Sequence, residues 1–166
     1  MNANNISNIK NIKVLFTDVD GTLTDGRLYY TESGETTKVF HVKDGQGIKT
    51  WMRAGKKLVV ISGRSSPIIN TRMQEMSVNN NDIILKCDDK IKAIEQWMSK
   101  NSLSWDQAAY IGDDVNDLDA MVKAQICAAP ADAIAEVYNA AAYKCKTNGG
   151  LGAVREFIDY LLKNSE

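Results

Sequence analysis

Short apolar segments alternate with segments of helical periodicity along most of this 166-residue chain. The apolar segments lie at 12–16, 57–61, 82–85, 108–111 and 126–129, with a shorter one at 143–145. Strands that are apolar on both faces are typical of a parallel sheet buried between helices. The alternation therefore predicts an α/β fold, with a doubly wound, Rossmann-like parallel sheet and helices on both of its faces. Because the sequence contains no internal repeat, linker or low-complexity segment, residues 1–166 are expected to form a single domain.

The helices are predicted from residue spacing and from start and stop signals. They cover about 48–54, 67–76, 90–100, a segment through 121, a segment from 131, and 152–162. In the last of these, Val154, Phe157, Ile158 and Leu161 share one face and are expected to point into the core. Pro67 suits the first turn of its helix, where the missing proline N–H would have no partner in any case.

A β-hairpin is predicted at about 27–43, directly after the first strand. Two β-rich runs, 28–30 and 37–42, flank a Ser-Gly turn, and residues 44–47 are expected to lead from the hairpin into the first helix. A two-stranded hairpin is only marginally stable alone, and this one carries apolar side chains on both faces. We therefore expect it to pack on something outside its own sheet, with a neighbouring subunit as the candidate.

Composition and charge exclude several classes of function. The formal net charge is −1, and the lysines and arginines are scattered, so neither a nucleic-acid partner nor a membrane partner is expected. No apolar run approaches the roughly 20 residues that span a bilayer, and the polar start lacks the apolar region of a signal peptide. The protein is therefore expected to be cytoplasmic. Three widely spaced cysteines, Cys87, Cys127 and Cys145, argue against a disulfide framework or a zinc site.

Polar side chains follow each of the first four core strands. Asp18 and Asp20 come after the first strand, Ser62 after the second, Lys90 just past the third, and Asp113 with Asp117 after the fourth. In doubly wound sheets, ligands bind beyond the carboxyl ends of the strands. Asp18 and Asp20 are two positions apart, so extended backbone could present both carboxylates to one pocket, and two such anions call for a cation. A solvated acidic turn is the alternative for any single D-x-D.

In this order, the four sets of polar groups resemble the four motifs of the haloacid dehalogenase (HAD) superfamily of phosphotransferases. The first motif is D-x-D-G-T-L-T at 18–24, and the resemblance spans essentially the whole chain. It implies that Asp18 is the nucleophile and that Asp20 protonates the leaving group and later activates water. It further implies Mg²⁺ as cofactor, held by the Asp18 side chain, the Asp20 backbone carbonyl and the Asp113 carboxylate. Lys90 would bridge the nucleophile and the phosphate.

The same resemblance assigns further binding residues. Ser62 and the Gly63 amide would bind phosphate oxygens at a helix N-terminus, although a helix cap is the alternative role for Ser62. Arg64 opposes a helix dipole near that N-terminus, so it is expected to clasp a substrate carboxylate rather than to stabilise the helix, with an ordinary surface arginine as the alternative. Asp114 or Asp117 would orient the metal waters or the lysine from outside the first coordination sphere.

Neither gap between the motifs has room for a cap domain, so the active site of an isolated subunit would be open. This capless pattern includes D-G-R-L-Y-Y, F-H-V-K-D-G-Q-G-I, S-G-R-S-S-P-I, Y-I-G-D-D and G-G-L-G-A-V-R-E. It resembles the 3-deoxy-D-manno-octulosonate 8-phosphate (KDO 8-phosphate) phosphatases of lipopolysaccharide core biosynthesis. That resemblance implies a homotetramer in which hairpins cap neighbouring sites. Close approach of the backbone near the site is also expected from the glycines of 149–156.

Two alternatives remain open from the sequence: a nonulosonate (sialic acid or KDN) 9-phosphate phosphatase, and a non-catalytic tetramerisation module of HAD type. Arg64 favours KDO 8-phosphate, because the related 9-phosphate enzymes tend to carry Glu after the S-G or T-G pair. Several relatives have Val where this chain has Thr22, a difference not expected to alter the chemistry. His41, the one histidine, is expected to be structural or interfacial rather than an acid–base group.

Overall fold

A six-stranded parallel sheet forms the centre of the fold in the computed structural model, which describes residues 9–165. Its strands occur in the order β5-β4-β1-β6-β7-β8. The bounds are β1 Val14–Thr17, β4 Lys57–Ile61, β5 Ile83–Ile84, β6 Ala108–Ile111, β7 Ile126–Ala129 and β8 Tyr143–Lys144. A separate antiparallel hairpin consists of β2 Tyr29–Thr31 and β3 Gly34–Thr37.

Helices cover both faces of the sheet. They are α1 Val42–Arg53, α2 Pro67–Glu75, α3 Lys90–Asn101, α4 Leu118–Lys123, α5 Ala135–Ala140 and α6 Ala153–Lys163. Four 3₁₀ turns lie at Ile9–Asn11, Asn80–Asp82, Trp105–Gln107 and Val115–Asp117. Helices α1, α2 and α6 contribute to the core on one face, and α3, α4 and α5 to the core on the other. The predicted fold class, a doubly wound sheet with a protruding hairpin, is therefore confirmed.

Side chains of β1 alternate between the two cores, as the pleat of a strand requires. Leu15 packs on the α1 side, whereas Val14 and Phe16 pack on the α3 side, and all three are fully buried. Phe16 meets the Trp97 ring edge to face at 5.5 Å. Burying such a side chain contributes about 1.5–3 kcal/mol, so the strand that carries the first motif is held firmly from both faces.

The strand order places a topological switch point between β1 and β6. From β1 the chain moves outward through β4 and β5, and it then returns to the other side of β1 with β6. Both neighbours pair with β1 in parallel, Phe16 lying opposite Val59 and Tyr110. Ligands of doubly wound sheets bind at the carboxyl ends of the strands at such a point. Here those ends continue into Asp18 and Asp113.

The predicted hairpin boundaries are wrong at the C-terminal side. The paired strands end at Thr37, and His41 is the N-cap of α1, accepting a hydrogen bond from the Lys43 N–H at its Nδ1 (3.3 Å). Residues 44–47, expected as a loop, lie inside α1. A Cβ on Gly45 would lie 2.6 Å from Arg72 Nη2, and one on Gly47 would lie 2.7 Å from Arg155 Cδ. These glycines serve close helix packing, whereas the sequence pattern indicated a turn.

The remaining boundaries agree within a few residues, except that α5 begins at Ala135 rather than at 131. The four predicted apolar residues of α6 are all fully buried. Between residues 9 and 165, no helix has the length and apolar character needed to cross a membrane.

Candidate active site

Three carboxylates and one ammonium group converge at the switch point. Asp18 directly follows β1, and its N–H donates to the carbonyl of Ile111 at the end of β6 (3.0 Å). Lys90, the first residue of α3, donates through Nζ to Asp18 Oδ1 (2.8 Å) and to Asp117 Oδ1 (2.6 Å). The structure thus brings together Asp18, Lys90 and Asp117 from three motifs that are far apart in the sequence.

Asp18, Asp113 and Asp117 form a cluster that could hold a metal ion. One oxygen from each carboxylate lies within 4.8 Å of the other two. Burial raises the pKa of Asp113 to about 7, and the neighbouring Asp18 charge raises it further in the same direction. Burial likewise raises the pKa of Asp18, to about 6, against the opposing effect of Lys90. A buried, mutually repelling set of carboxylate oxygens is the donor set that suits a hard divalent cation such as Mg²⁺.

The Lys90 ammonium is charged despite its burial. Only 5% of its side chain is exposed, and burial alone would lower its pKa. The charges of Asp18 and Asp117 outweigh that effect, so the pKa of Lys90 is raised. A buried charge of this kind needs its partners, since removing one typically destabilises a protein by about 3–5 kcal/mol.

Asp117 organises this part of the site. It is fully buried and accepts hydrogen bonds from the Lys90 ammonium, from the Tyr110 hydroxyl (2.6 Å) and from the N–H groups of Asp113 (3.0 Å) and Asp114 (3.3 Å). Asp114, in contrast, is exposed and accepts from the Val115 N–H. Of the two residues predicted to orient the lysine or the metal waters, Asp117 is the one that contacts Lys90. Tyr110 was missed, because the pattern shows only a buried strand residue.

Two glycines let these carboxylates lie directly against the backbone. A Cβ on Gly21, whose φ is +89°, would lie 2.0 Å from Asp113 Oδ2. A Cβ on Gly112 would lie 2.3 Å from Asp117 Cγ. Any larger residue at either position would displace an acidic group of the cluster.

The C-terminal glycine segment closes on the first motif, as expected. The Gly150 N–H donates to the Thr22 carbonyl (3.0 Å), and a Cβ on Gly149 would lie 1.8 Å from the Gly21 carbonyl oxygen. Thr22 has a second contact that the sequence did not reveal, because its hydroxyl donates to Asp113 Oδ1 (2.8 Å). The threonine at this position therefore positions one of the predicted metal ligands.

Ser62 and Gly63 lie in the loop after β4, and Ser62 is buried. The expectation that they sit at a helix N-terminus is wrong, since α2 begins only at Pro67 with Ser66 as its N-cap residue. The alternative role of Ser62 as a helix cap is excluded for the same reason. Its Oγ instead accepts from the Arg64 N–H (3.1 Å), an interaction that tightens the loop.

Arg64 joins a charged network under the hairpin instead of opposing a helix dipole. Its Nε lies 3.5 Å from Asp20 Oδ2 and its Nη2 lies 3.6 Å from Glu35 Oε1, while Nη2 also donates to the Tyr30 hydroxyl. Lys38 Nζ lies 2.5 Å from Asp20 Oδ1 and 3.0 Å from Glu35 Oε1. Lys38 and Glu35 were both missed, because no motif marks them and only the folded hairpin brings them to Asp20.

Comparison with known proteins agrees with this geometry. The profile of the haloacid dehalogenase-like hydrolases matches residues 65–158, more than half of the chain. The chain belongs to this family of HAD-like hydrolases. The family assignment and the expected resemblance are therefore confirmed.

More specific relatives are phosphatases of a sugar acid phosphate. The chain is 42% identical over 155 residues to the 3-deoxy-D-manno-octulosonate 8-phosphate phosphatase KdsC of Haemophilus influenzae, covering 93% of this chain and 85% of that protein. The cobalt-bound structure of the H. influenzae phosphatase superposes with a TM-score of 0.91 at 41% identity, covering 95% of this chain and 91% of the other. The Moraxella catarrhalis phosphatase, solved with magnesium, phosphate and KDO, gives 0.92 at 34% identity, covering 97% and 91%.

Proposed function

We propose that this protein is a Mg²⁺-dependent phosphoric monoester hydrolase that converts KDO 8-phosphate to KDO and phosphate in lipopolysaccharide core biosynthesis. The observation that carries the proposal is the buried Asp18–Lys90–Asp117 contact at the switch point, with Asp113 beside it. An aspartate oriented by an ammonium and surrounded by potential metal ligands can accept a phosphoryl group. Relatives with similar sequences are named as KDO 8-phosphate phosphatases.

Asp18 is the nucleophile. One of its carboxylate oxygens attacks phosphorus, the bond between phosphorus and the sugar oxygen breaks, and an aspartyl-phosphate forms. Asp18, Asp113 and the backbone carbonyl of Asp20 would hold Mg²⁺, which supplies positive charge to the phosphoryl oxygens when it is bound. Lys90 contacts Asp18 and reduces its repulsion toward the incoming phosphate.

Asp20 acts first as the general acid and then as the general base. It donates a proton to the departing sugar oxygen and then takes one from the water that attacks the aspartyl-phosphate. That second step releases inorganic phosphate and restores the Asp18 carboxylate. Asp117 keeps the Lys90 ammonium in place throughout, while Asp114 closes the adjoining 3₁₀ turn through the Val115 N–H.

The loop after β4 binds the substrate. The Ser62 hydroxyl and the Gly63 amide would donate to phosphate oxygens, together with Lys90. Arg64 would clasp the carboxylate of the sugar acid, a role that suits its guanidinium because 42% of the side chain is exposed. The phosphate of a sugar acid such as KDO carries both a phosphate and a carboxylate. The first would bind at the Ser62–Gly63 loop and the second at Arg64.

The active protein is proposed to be a cytoplasmic homotetramer of single-domain subunits, each formed by residues 1–166. The hairpin region exposes Leu28, Tyr29, Tyr30 and Val39, with 41–59% of each residue's surface accessible. Exposed apolar groups concentrated on one projecting element are typical of an interface. Neighbouring hairpins would then cap each site and exclude water from the phosphoryl transfer.

The test is phosphate release from KDO 8-phosphate by the purified protein with and without Mg²⁺. Asp18→Asn is expected to abolish turnover while leaving the tetramer intact, and Asp88→Asn, which changes an exposed carboxylate, serves as the matched control. Faster hydrolysis of a nonulosonate 9-phosphate would favour the sibling activity. An intact tetramer that releases phosphate from neither substrate would indicate an assembly module and contradict the proposal.

A further inference from the structure

Lys38 is a buried charged residue for which the proposed mechanism has no role. It directly follows β3, and its side chain has 0% relative exposure. Burying an ammonium group is costly unless it is paired, so its partners indicate its purpose. Those partners are Asp20 at 2.5 Å and Glu35 of the hairpin at 3.0 Å. Lys38 thereby links the hairpin to Asp20, the proposed general acid and base.

The link is made to only one of the two Asp20 oxygens. Lys38 donates to Oδ1. Oδ2 is buried without a hydrogen-bond partner among residues 9–165, and Arg64 Nε lies 3.5 Å away. A buried carboxylate oxygen without a donor is rare in folded proteins. The arrangement therefore distinguishes an anchored oxygen from one that is free to react.

The charge of Lys38 is also balanced locally. Glu35, on the hairpin, lies 3.0 Å from the same ammonium. An isolated ammonium would act on Asp20 chiefly as a positive charge, whereas an ammonium paired with Glu35 acts more as a directed hydrogen-bond donor. The contact therefore fixes the orientation of the Asp20 carboxylate.

We infer that Lys38 is a positioning residue for the phosphatase reaction, which holds Asp20 by Oδ1 so that Oδ2 faces the leaving oxygen of the substrate. The inference rests on the proposed function, because it needs a proton to be transferred by Asp20. Glu35 extends the effect, since it fixes Lys38 from the hairpin. The geometry of the hairpin then sets the geometry of proton transfer.

The leaving group provides a sharp test of this role. A sugar alkoxide is a poor leaving group and needs a proton as the bond to phosphorus breaks, whereas p-nitrophenolate leaves without one. A residue that acts through the proton donor should therefore matter for a sugar phosphate and hardly at all for release of p-nitrophenolate. A residue that merely stabilises the fold should affect both substrates alike.

The experiment compares single-turnover release of KDO from KDO 8-phosphate with release of p-nitrophenol from p-nitrophenyl phosphate, both in Mg²⁺. For Lys38→Met, we expect the first rate to fall about 100-fold and the second by less than about 3-fold, given the usual size of general acid catalysis. Lys56→Met is the matched control, because the Lys56 ammonium also holds another part of the fold, the Ile12 carbonyl, but does not contact Asp20. It is expected to leave both rates unchanged.

A second variant guards against a folding defect. Glu35→Gln lies on the hairpin and leaves Lys38 in place, and it should show the same selectivity with a loss of about 5-fold for the sugar phosphate, the size expected for removal of one ion pair. Equal losses for the two substrates in both variants, or no loss in either, would overturn the inference alone. A wild-type protein that releases p-nitrophenol but never KDO would instead overturn the proposed function, and the inference with it.

Discussion

Replacing Asp113 with Asn should make the metal-free protein more stable and at the same time remove its response to Mg²⁺. The Asp113 carboxylate is largely buried beside Asp18, and burial raises its pKa from 3.8 to about 7. An Asn is uncharged and can still accept the hydrogen bond from the Thr22 hydroxyl. The substitution therefore removes an unfavourable buried charge with little change of shape.

The size of the effect follows from the shift in pKa. A shift of about 3 units corresponds to about 4 kcal/mol at a pH where the carboxyl is ionised, and partial solvent screening reduces this to about 2–4 kcal/mol. For a chain of this size, 1 kcal/mol moves Tm by about 2–4 °C. We therefore expect Asp113→Asn to raise Tm in EDTA at pH 8 by at least about 4 °C.

The pH dependence has a definite sign. Because the folded-state pKa of Asp113 lies above its unfolded value, the folded protein binds more protons than the unfolded chain between about pH 4 and pH 7. The stability contributed by this group is therefore present at low pH and is lost as the pH rises through 7. The difference in Tm between variant and wild type should fall to roughly half of its pH 8 value at pH 5.5 and disappear only below about pH 4.

Thermal and urea unfolding in EDTA and in 10 mM Mg²⁺ provide the measurement. Mg²⁺ binds the folded wild-type protein and should therefore raise its Tm. At a Mg²⁺ concentration of 100 times Kd, the free energy of unfolding should increase by about 2.7 kcal/mol, whereas Asp113→Asn should show no such increase. Asp88→Asn is the control for loss of one exposed charge. A variant that is no more stable than wild type at pH 8, or that still responds to Mg²⁺, would refute the reasoning.

Three further substitutions test individual contacts. Thr22→Val removes the hydroxyl that holds Asp113 and should weaken Mg²⁺ binding by about 3- to 10-fold, measured by calorimetry without substrate. Tyr110→Phe removes one buried donor to Asp117 and should lower the free energy of unfolding by about 1–3 kcal/mol, measured by urea unfolding. In steady-state kinetics, it should reduce kcat and change KM by a smaller factor. Gly149→Ala would place a Cβ against a backbone carbonyl of the first motif and should destabilise the chain by more than about 3 kcal/mol, measured by urea unfolding.

The fold was predictable where hydrophobic pattern decides structure. The buried strands β4, β6 and β7 and the inward face of α6 agree with the apolar spacing, because burial on two faces leaves a strong signal. The start of α1 was not predictable in the same way. Residues 44–47 contain two glycines that usually indicate a turn, but here they allow α1 to approach other helices closely, which depends on tertiary packing.

The residues of the candidate site also fall into a predictable and an unpredictable group. Asp18, Lys90 and Asp113 follow strands whose ends meet at the switch point, so their convergence could be inferred from topology. Lys38 and Tyr110 could not be inferred, since one depends on how the hairpin folds back and the other on which face of β6 a tyrosine occupies. The predicted position of Ser62 at a helix N-terminus is wrong, because the helix begins five residues later at Pro67. The residue before a proline disfavours helical angles, and Ser66 is accordingly extended.

The contact between the late glycine segment and the first motif also bears on biosynthesis. Gly149 and Gly150 pack on the loop that carries Asp18, although they are translated well over a hundred residues after it. At about 5–20 residues per second, a ribosome needs roughly 6 to 25 s to cover that interval. A nascent chain can therefore form much of its sheet before the loop that carries Asp18 gains its packing partners, and that loop is complete only after residues 149 and 150 have been translated.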